Sequence, residues 1–232
     1  MKGLYMFKKG FTLAEVLITL TIIGVVSALT LPGLLTDTST AQIGPKLAKA
    51  RAMFEQANQA LLHNENLDSF VLPSGLRYSS SSVYLDNLAA FLKISSFDRT
   101  QNGYAPSIVS LTGVDDIGNS SCVLSSDGML YCVVLNSAHP YYDANQIINR
   151  QIIGTVYVDI DGPSGANVTG TDVFPFVLTA GGSITPVGAT NWDNKNAKES
   201  TWSILCPKSG TVAQYSACTG HIFENNLKVE YN

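Results

Sequence analysis

One carboxylate, Glu15, stands alone in a long apolar run, and the chemistry open to it is ion pairing. It is the only charged residue from Phe11 to Leu31. An acid buried near a bilayer costs on the order of a few kcal/mol unless it is paired. The most economical partner is an α-amino group, which proteolysis just before Phe11 would create. Between staggered copies, the amine of one chain would meet the carboxylate of the next. The simpler alternative is that Glu15 only reaches back to the membrane interface.

A second set of oxygen-bearing side chains follows a predicted strand at residues 152–160. Asp159, Asp161, Asn167 and Asp172 recur within a glycine-containing segment that can turn tightly. Because Ca²⁺ takes about six to eight oxygen ligands, this segment predicts a calcium site. The spacing is not that of an EF-hand, and no glutamate closes the loop. The alternative is therefore an ordinary loop before a strand at residues 173–178.

The four cysteines form no CxxC pair, which favours disulfides outside the cytosol over a zinc site. They allow three pairings. In a hairpin over residues 123–135 with Ser126-Asp127-Gly128 as its three-residue turn, Cys122 faces Cys132. This register pairs Val123 with Tyr131, Leu124 with Leu130 and Ser125 with Met129. It favours the disulfides Cys122–Cys132 and Cys206–Cys218.

Charge and motifs narrow the class of function. The chain has 232 residues, a net charge of −4 and a pI of about 5.3, so it lacks the excess of Lys and Arg that a nucleic-acid interface needs. GxSxG, HExxH, Walker and helix-opening GxGxxG motifs are absent from the sequence. We therefore expect neither an enzyme nor a nucleic-acid-binding protein, and no cofactor other than calcium.

The run from Phe11 to Leu31 is long enough to cross a membrane, since at about 1.5 Å per residue a helix of this length spans roughly 30 Å. Lysines precede it, which predicts a cytoplasmic N-terminus. A secretory signal with a shorter apolar run is the alternative. An amphipathic stripe then predicts a helix that ends near Asn64 and Asn66. Gly44-Pro45 should kink or restart this helix. The stripe consists of Ile43, Leu47, Ala50, Phe54, Ala57 and Leu61.

Beyond residue 66 the pattern changes to short apolar runs separated by turn residues, which predicts a β-rich head. A short helix is expected over residues 83–94. Strands are expected over residues 152–160, 173–178 and 183–187, with a hairpin turn at Gly181-Gly182.

The residues from Lys8 to Val16 resemble the type IV prepilin signature, in which a short basic leader and a glycine precede Phe-Thr-Leu-x-Glu and about twenty apolar residues. The resemblance implies cleavage between Gly10 and Phe11 by a prepilin peptidase and N-methylation of Phe11. It also implies an assembly role for Glu15, Gly24 and Pro32. The implied location is the bacterial inner membrane, crossed once, with the N-terminus cytoplasmic and the head extracytoplasmic.

The expected fold is α+β, a pilin-like lollipop whose long N-terminal helix packs on an antiparallel sheet. We divide it into a leader (1–10), a membrane or filament-core helix (11–31), its amphipathic continuation (32–66) and the head (67–232). The expected function is a structural subunit of a type IV pilus or type II secretion pseudopilus. Its partners would be the prepilin peptidase, other pilin-like subunits and an inner-membrane assembly platform. The alternative is a membrane-anchored binding module that does not polymerise. The sequence leaves major pilin, minor pilin and pseudopilin open.

Overall fold

The structure is a computed structural model of the chain, and it describes residues 10–94, 108–110, 113–115, 121–135, 151–162, 168–188 and 212–229. The chain divides into two compact units, Met1–Ala41 and Gln42–Asn232. We call the second the folded unit.

One helix, α1 (Leu13–Asn64), accounts for most of the N-terminal quarter of the chain. The predicted apolar stripe is confirmed, because each of its members is buried in the core of the folded unit. The helix ends where the asparagines predicted it. Asn66 adopts the left-handed conformation (φ 53°), and the Leu67 N–H donates to the carbonyl of Leu62 at 2.9 Å, which closes the last turn.

Of the two outcomes expected at Gly44-Pro45, the restart is wrong, because the helix continues through both residues. Proline has no N–H to donate to the carbonyl four residues earlier, which costs about 3 kcal/mol in a helix interior. Burial of apolar side chains on both sides of the proline offsets this cost. Ile43 and Leu47 belong to the same core cluster, so breaking the helix between them would expose one or the other.

The folded unit contains a five-stranded antiparallel sheet in the order β5-β6-β7-β8-β9. Its strands are β5 (Ser121–Leu124), β6 (Leu130–Leu135), β7 (Ile152–Asp159), β8 (Val173–Thr179) and β9 (Ile184–Pro186). The predicted hairpin register is confirmed, with Cys122 opposite Cys132 and Val123 opposite Tyr131. Gly128 in its turn has φ 88°, a conformation that glycine adopts without strain. The turn at Gly181-Gly182 is also confirmed, with Gly182 at φ 80° and the Thr179 N–H donating to Ser183.

Smaller elements complete the described structure. They are β1 (Val71–Leu72), β2 (Gly75–Leu76), α2 (Ser81–Leu88), β3 (Ile108–Ser110), β4 (Gly113–Asp115) and α3 (Val212–Glu224). Helix α2 starts earlier than the predicted residues 83–94, because the Ser80 hydroxyl caps its N-terminus by accepting from the Val83 N–H. The helix also ends earlier than predicted, at Leu88. Helix α3 was not predicted.

Both faces of the sheet are covered, since every residue of β6, β7 and β8 is buried. Alternate residues of β6 belong to two different core clusters, as the two-residue period of a strand requires. On one face, Tyr131 stacks on Phe54 of α1, with ring centroids 5.7 Å apart. The α+β class is thus confirmed: a long, initially apolar helix followed by a short helix and an antiparallel sheet.

Candidate functional site

The N-terminal site starts at the first turn of α1, where Thr12 and Glu15 form a capping box. The Thr12 N–H and hydroxyl both donate to Oε2 of Glu15, at 2.8 and 2.7 Å. The Glu15 N–H donates back to the Thr12 hydroxyl at 3.3 Å. The pattern Thr-x-x-Glu at a helix start satisfies backbone donors that the helix itself leaves unpaired. Glu15 therefore occupies the third helical position, with its carboxylate folded back toward residue 12.

The apolar side chains of the segment that follows are not buried within the chain. Leu13–Thr30 is the span, among the described residues, that is long and apolar enough to cross a membrane, and none of it is buried by the rest of the protein. Phe11 is 88% exposed and Leu29 78%. Exposing this much contiguous apolar surface to water is costly, which indicates that the segment lies in lipid or packs against other helices. A Cβ added at Gly24 would meet nothing within 4 Å, so packing within the chain gives no reason for a glycine there.

The expected cleavage point lies in accessible backbone. Gly10 and Phe11 are exposed and precede the first helical residue, Leu13. Exposed, non-helical backbone is what a peptidase requires. The leader residues 1–9 lie outside the described part, and so does the side chain of Pro32.

Comparison with known proteins agrees with this geometry. Residues 6–31 match the prokaryotic N-terminal methylation motif, which is typical of type IV pilins and pseudopilins. The N-terminal segment of this chain is therefore similar to that of prepilins. The motif implies processing by a prepilin peptidase, and together with the apolar helix it indicates an inner-membrane prepilin. Pilin-like proteins are generally structural and not enzymes. No curated protein and no solved structure matches the chain.

In the folded unit, the predicted disulfide between Cys122 and Cys132 is confirmed. It joins the edge strand β5 to its neighbour β6 across the register described above. Cys218 is buried in α3 and is disulfide-bonded, while Cys206 lies outside the described residues.

The structure brings part of the proposed calcium segment together where β7 ends and β8 begins. Oδ1 of Asp159 accepts from the N–H groups of Asp161 (3.2 Å) and Gly162 (2.9 Å). Oδ2 of Asp159 is buried with no hydrogen-bond partner, in a residue that is 2% exposed. Asp172 is also buried and accepts from the Val168 N–H. A buried, unpaired carboxylate oxygen is costly, and a cation would remove that cost.

Electrostatics point the same way. Burial, followed by the neighbouring carboxylate of Asp161, raises the pKa of Asp159 to about 8, although the N–H groups of Asp161 and Gly162 lower it. Burial and the charge of Asp161 raise the pKa of Asp172 to about 6. Below about pH 4 such a carboxyl is protonated in both the folded and the unfolded state. As the pH rises from about 4 toward 8, the unfolded state loses its proton first, so the free energy of unfolding falls.

The calcium site itself remains a prediction. Among the described residues, no three His, Cys, Asp or Glu side chains are placed so that they could hold a metal ion. Asn167 lies outside the described residues. A calcium ion at this place would need more ligands than Asp159, Asp161 and Asp172 offer, such as backbone carbonyls, Asn167 and water.

Sequence reasoning missed two features of these sites. The first is the role of Thr12, although the spacing Thr-x-x-Glu at the start of an apolar run is a known capping signal. The second is a close contact between Gly44 of α1 and the C-terminal turn. A Cβ on Gly44 would lie 1.9 Å from the carbonyl oxygen of Leu227. No local sequence signal marks that contact, because it joins residues far apart in the chain.

Proposed function

We propose that the chain is a structural subunit, a pilin or pseudopilin, of a type IV pilus or type II secretion pseudopilus. A prepilin peptidase cleaves it between Gly10 and Phe11 and the new N-terminus is methylated. The subunit then leaves the inner membrane and assembles through α1. Its partners are other copies or other pilin-like subunits and an inner-membrane assembly platform, and its folded unit stays on the extracytoplasmic side.

The observation that carries this proposal is a single acid at the start of an otherwise apolar, unburied helical segment, Leu13–Thr30. Glu15 has no positively charged partner in the described part of its own chain. In a low-dielectric surrounding, an unpaired carboxylate is costly, whereas an ion pair with an α-amino group compensates its charge. Cleavage before Phe11 supplies that amine on every copy. Pairing between neighbouring copies sets the axial register and leaves no charge uncompensated.

We also assign Gly24 and Pro32 to assembly, for reasons of helix packing and backbone hydrogen bonding. Gly24 has open space around it within its own chain, which permits a neighbouring helix to approach closely. Pro32 removes a backbone donor from the helix, so the turn around it opens more easily when subunits pack.

The test is Glu15→Gln in the native host, compared with wild type. Glutamine keeps the size of the side chain and an oxygen that can accept from Thr12, but it removes the charge. We expect normal amounts of processed protein in the membrane, an intact Cys122–Cys132 disulfide and a loss of sheared filaments or of secretion of at least about tenfold. Filaments or secretion at the wild-type level would overturn the pairing. That result would favour the alternative function, a membrane-anchored binding module that does not polymerise.

A further inference from the structure

The C-terminal turn, residues 225–229, follows α3 and packs against one side of α1. Leu227 lies so close to Gly44 that a Cβ at position 44 would be 1.9 Å from the Leu227 carbonyl oxygen. One helical turn earlier, the centre of the Phe223 ring lies 5.7 Å from the guanidinium carbon of Arg51. Gly44 and Arg51 are about two turns apart in α1, so they lie on the same side of it. The end of α3 and the turn after it therefore run along this side of α1.

The turn has an unusual backbone conformation. Asn226 and Leu227 have φ of 52° and 64°, in the left-handed region that residues with a side chain rarely adopt. The Leu227 N–H donates to the carbonyl of Ile222 at 2.8 Å, which ends α3 as a Schellman motif does. Beyond the turn, Val229 packs against the core of the folded unit. A left-handed leucine persists only where the surrounding structure fixes it, so this conformation depends on the contacts of the turn with α1 and the core.

The turn meets α1 at the point where the helix is weakest. Glycine and proline are the poorest helix formers, and Pro45 also has no N–H to complete the helical hydrogen bonds. The core holds the helix here through Ile43 and Leu47. Gly44 lies on a neighbouring side of the same helical turn, and Leu227 fills the space beside it. The helix-breaking pair is therefore held from two directions.

We propose that the C-terminal turn is a strap that keeps α1 helical through Gly44-Pro45. With the strap in place, the Leu227 peptide group blocks the backbone at Gly44 from moving toward α3. When the strap leaves, this part of the helix relies on the core contacts of Ile43 and Leu47, and α1 opens locally while the rest of its buried stripe stays folded. The strap belongs to the folded unit, and it would act in the same way whether or not the chain forms filaments.

Four variants change either the strap or the need for it. Truncation after Asn225 removes the strap. Leu227→Val keeps an apolar side chain, but its branched Cβ disfavours a φ of 64°. Asn226→Gly is the matched control in the same turn, because glycine favours the left-handed conformation. Pro45→Ala restores the missing helical hydrogen bond at an exposed position, so that α1 needs the strap less.

Hydrogen exchange of the detergent-solubilised protein, read by mass spectrometry, measures the local opening. The amides of residues 46–49 report on the helix at Gly44-Pro45, because in an α-helix they donate to the carbonyls of residues 42–45. The amides of residues 54–61 report on unfolding of the whole unit, so the exchange rate at 46–49 is divided by the rate at 54–61.

We expect truncation to raise this ratio at least about tenfold and Leu227→Val at least about threefold. Asn226→Gly should leave the ratio unchanged or lower it. Combined with Pro45→Ala, either truncation or Leu227→Val should raise the ratio by at most about twofold, because the helix no longer depends on the strap.

Two results would overturn the inference. An unchanged ratio after truncation, with residues 54–61 still protected, would show that the core alone keeps the helix closed. A rise of equal size with and without Pro45→Ala would show that the turn supports the fold in general and not the Gly44-Pro45 step. If the truncated chain does not fold, Leu227→Val is judged by the same two criteria.

Discussion

Replacing Gly44 by alanine should destabilise the folded unit, although alanine is the better helix former. A Cβ at this position would lie 1.9 Å from the carbonyl oxygen of Leu227 and 2.7 Å from both its carbonyl carbon and its Cβ. Those atoms are mostly backbone, so a side-chain rotation cannot relieve the clash. Asn226 and Leu227 are already in the left-handed conformation (φ 52° and 64°), which leaves the turn little room to adjust.

The size of the effect is a difference between two terms. Alanine in place of glycine gains about 1 kcal/mol in a helix interior. Inserting an atom into a closely packed contact costs about 1–3 kcal/mol. If the turn moves away instead, Val229, which packs against the core, loses part of its burial at a cost of about 1 kcal/mol. Because the clash at Gly44 is mainly with backbone atoms, the cost lies in the upper part of this range, about 2–3 kcal/mol. The net loss is then about 1–2 kcal/mol, which lowers Tm by roughly 2–8 °C in a unit of this size.

Thermal unfolding of the detergent-solubilised full chain measures this loss, and hydrogen exchange over residues 226–229 locates it. Gly24→Ala is the matched control, because it is the same substitution in the same helix with nothing within 4 Å of the new Cβ. A chain truncated after Asn225 is the second control, since Gly44→Ala should become neutral or stabilising there. A raised Tm for Gly44→Ala in the full chain, with unchanged exchange at the C-terminal turn, would refute the reasoning.

Three further predictions concern the folded unit. Asn58→Ala should cost about 2–4 kcal/mol in a denaturant melt, because it leaves the carbonyl of Gly182 and the hydroxyl of Tyr84 buried without their partner; a cost below about 1 kcal/mol would contradict this. Between pH 5 and 8 without divalent cations, the wild type should lose stability by up to about 1.4 kcal/mol per pH unit, and Asp159→Asn should flatten that slope and abolish any rise in Tm on adding Ca²⁺. A rise of equal size in both proteins would show that Asp159 is no ligand. Replacing both Cys122 and Cys132 by alanine should lower the free energy of unfolding by about 2–3 kcal/mol, measured against wild type without reductant. An unchanged melt would show that the disulfide adds no stability to the hairpin.

The features that could be predicted from the sequence are those that depend on residues close together in the chain. The buried stripe of α1 follows from its helical spacing, and the hairpin register follows from one turn glycine, Gly128, and two cysteines facing each other. Asn66 at the end of α1 is likewise a local signal.

What the sequence did not predict depends on contacts between distant segments. Helix α3 contains Gly220 and several weak helix formers, so its propensity is low. It is held by packing on β8 and β9 and by the Gly220 N–H, which donates to the carbonyl of Val187 at 2.7 Å. The unbroken helix through Pro45 has the same origin, since core packing overrides a local helix-breaking signal.

The N-terminal site shows an intermediate case. Glu15 stands out in the sequence as an isolated charge, but its hydrogen-bond partner within its own helix was not predicted. The structure pairs its Oε2 with Thr12. The charge therefore still requires a counter-ion, while its position is already set by its own helix.

The most direct test of the central claim is intact-mass and N-terminal peptide mass spectrometry of the protein purified from membranes of its native host. The account predicts a mature chain that begins at Phe11 and carries one methyl group on its α-amino nitrogen, since this amine is the counter-charge proposed for Glu15. A chain that still begins at Met1, or one cleaved at another position, would contradict it.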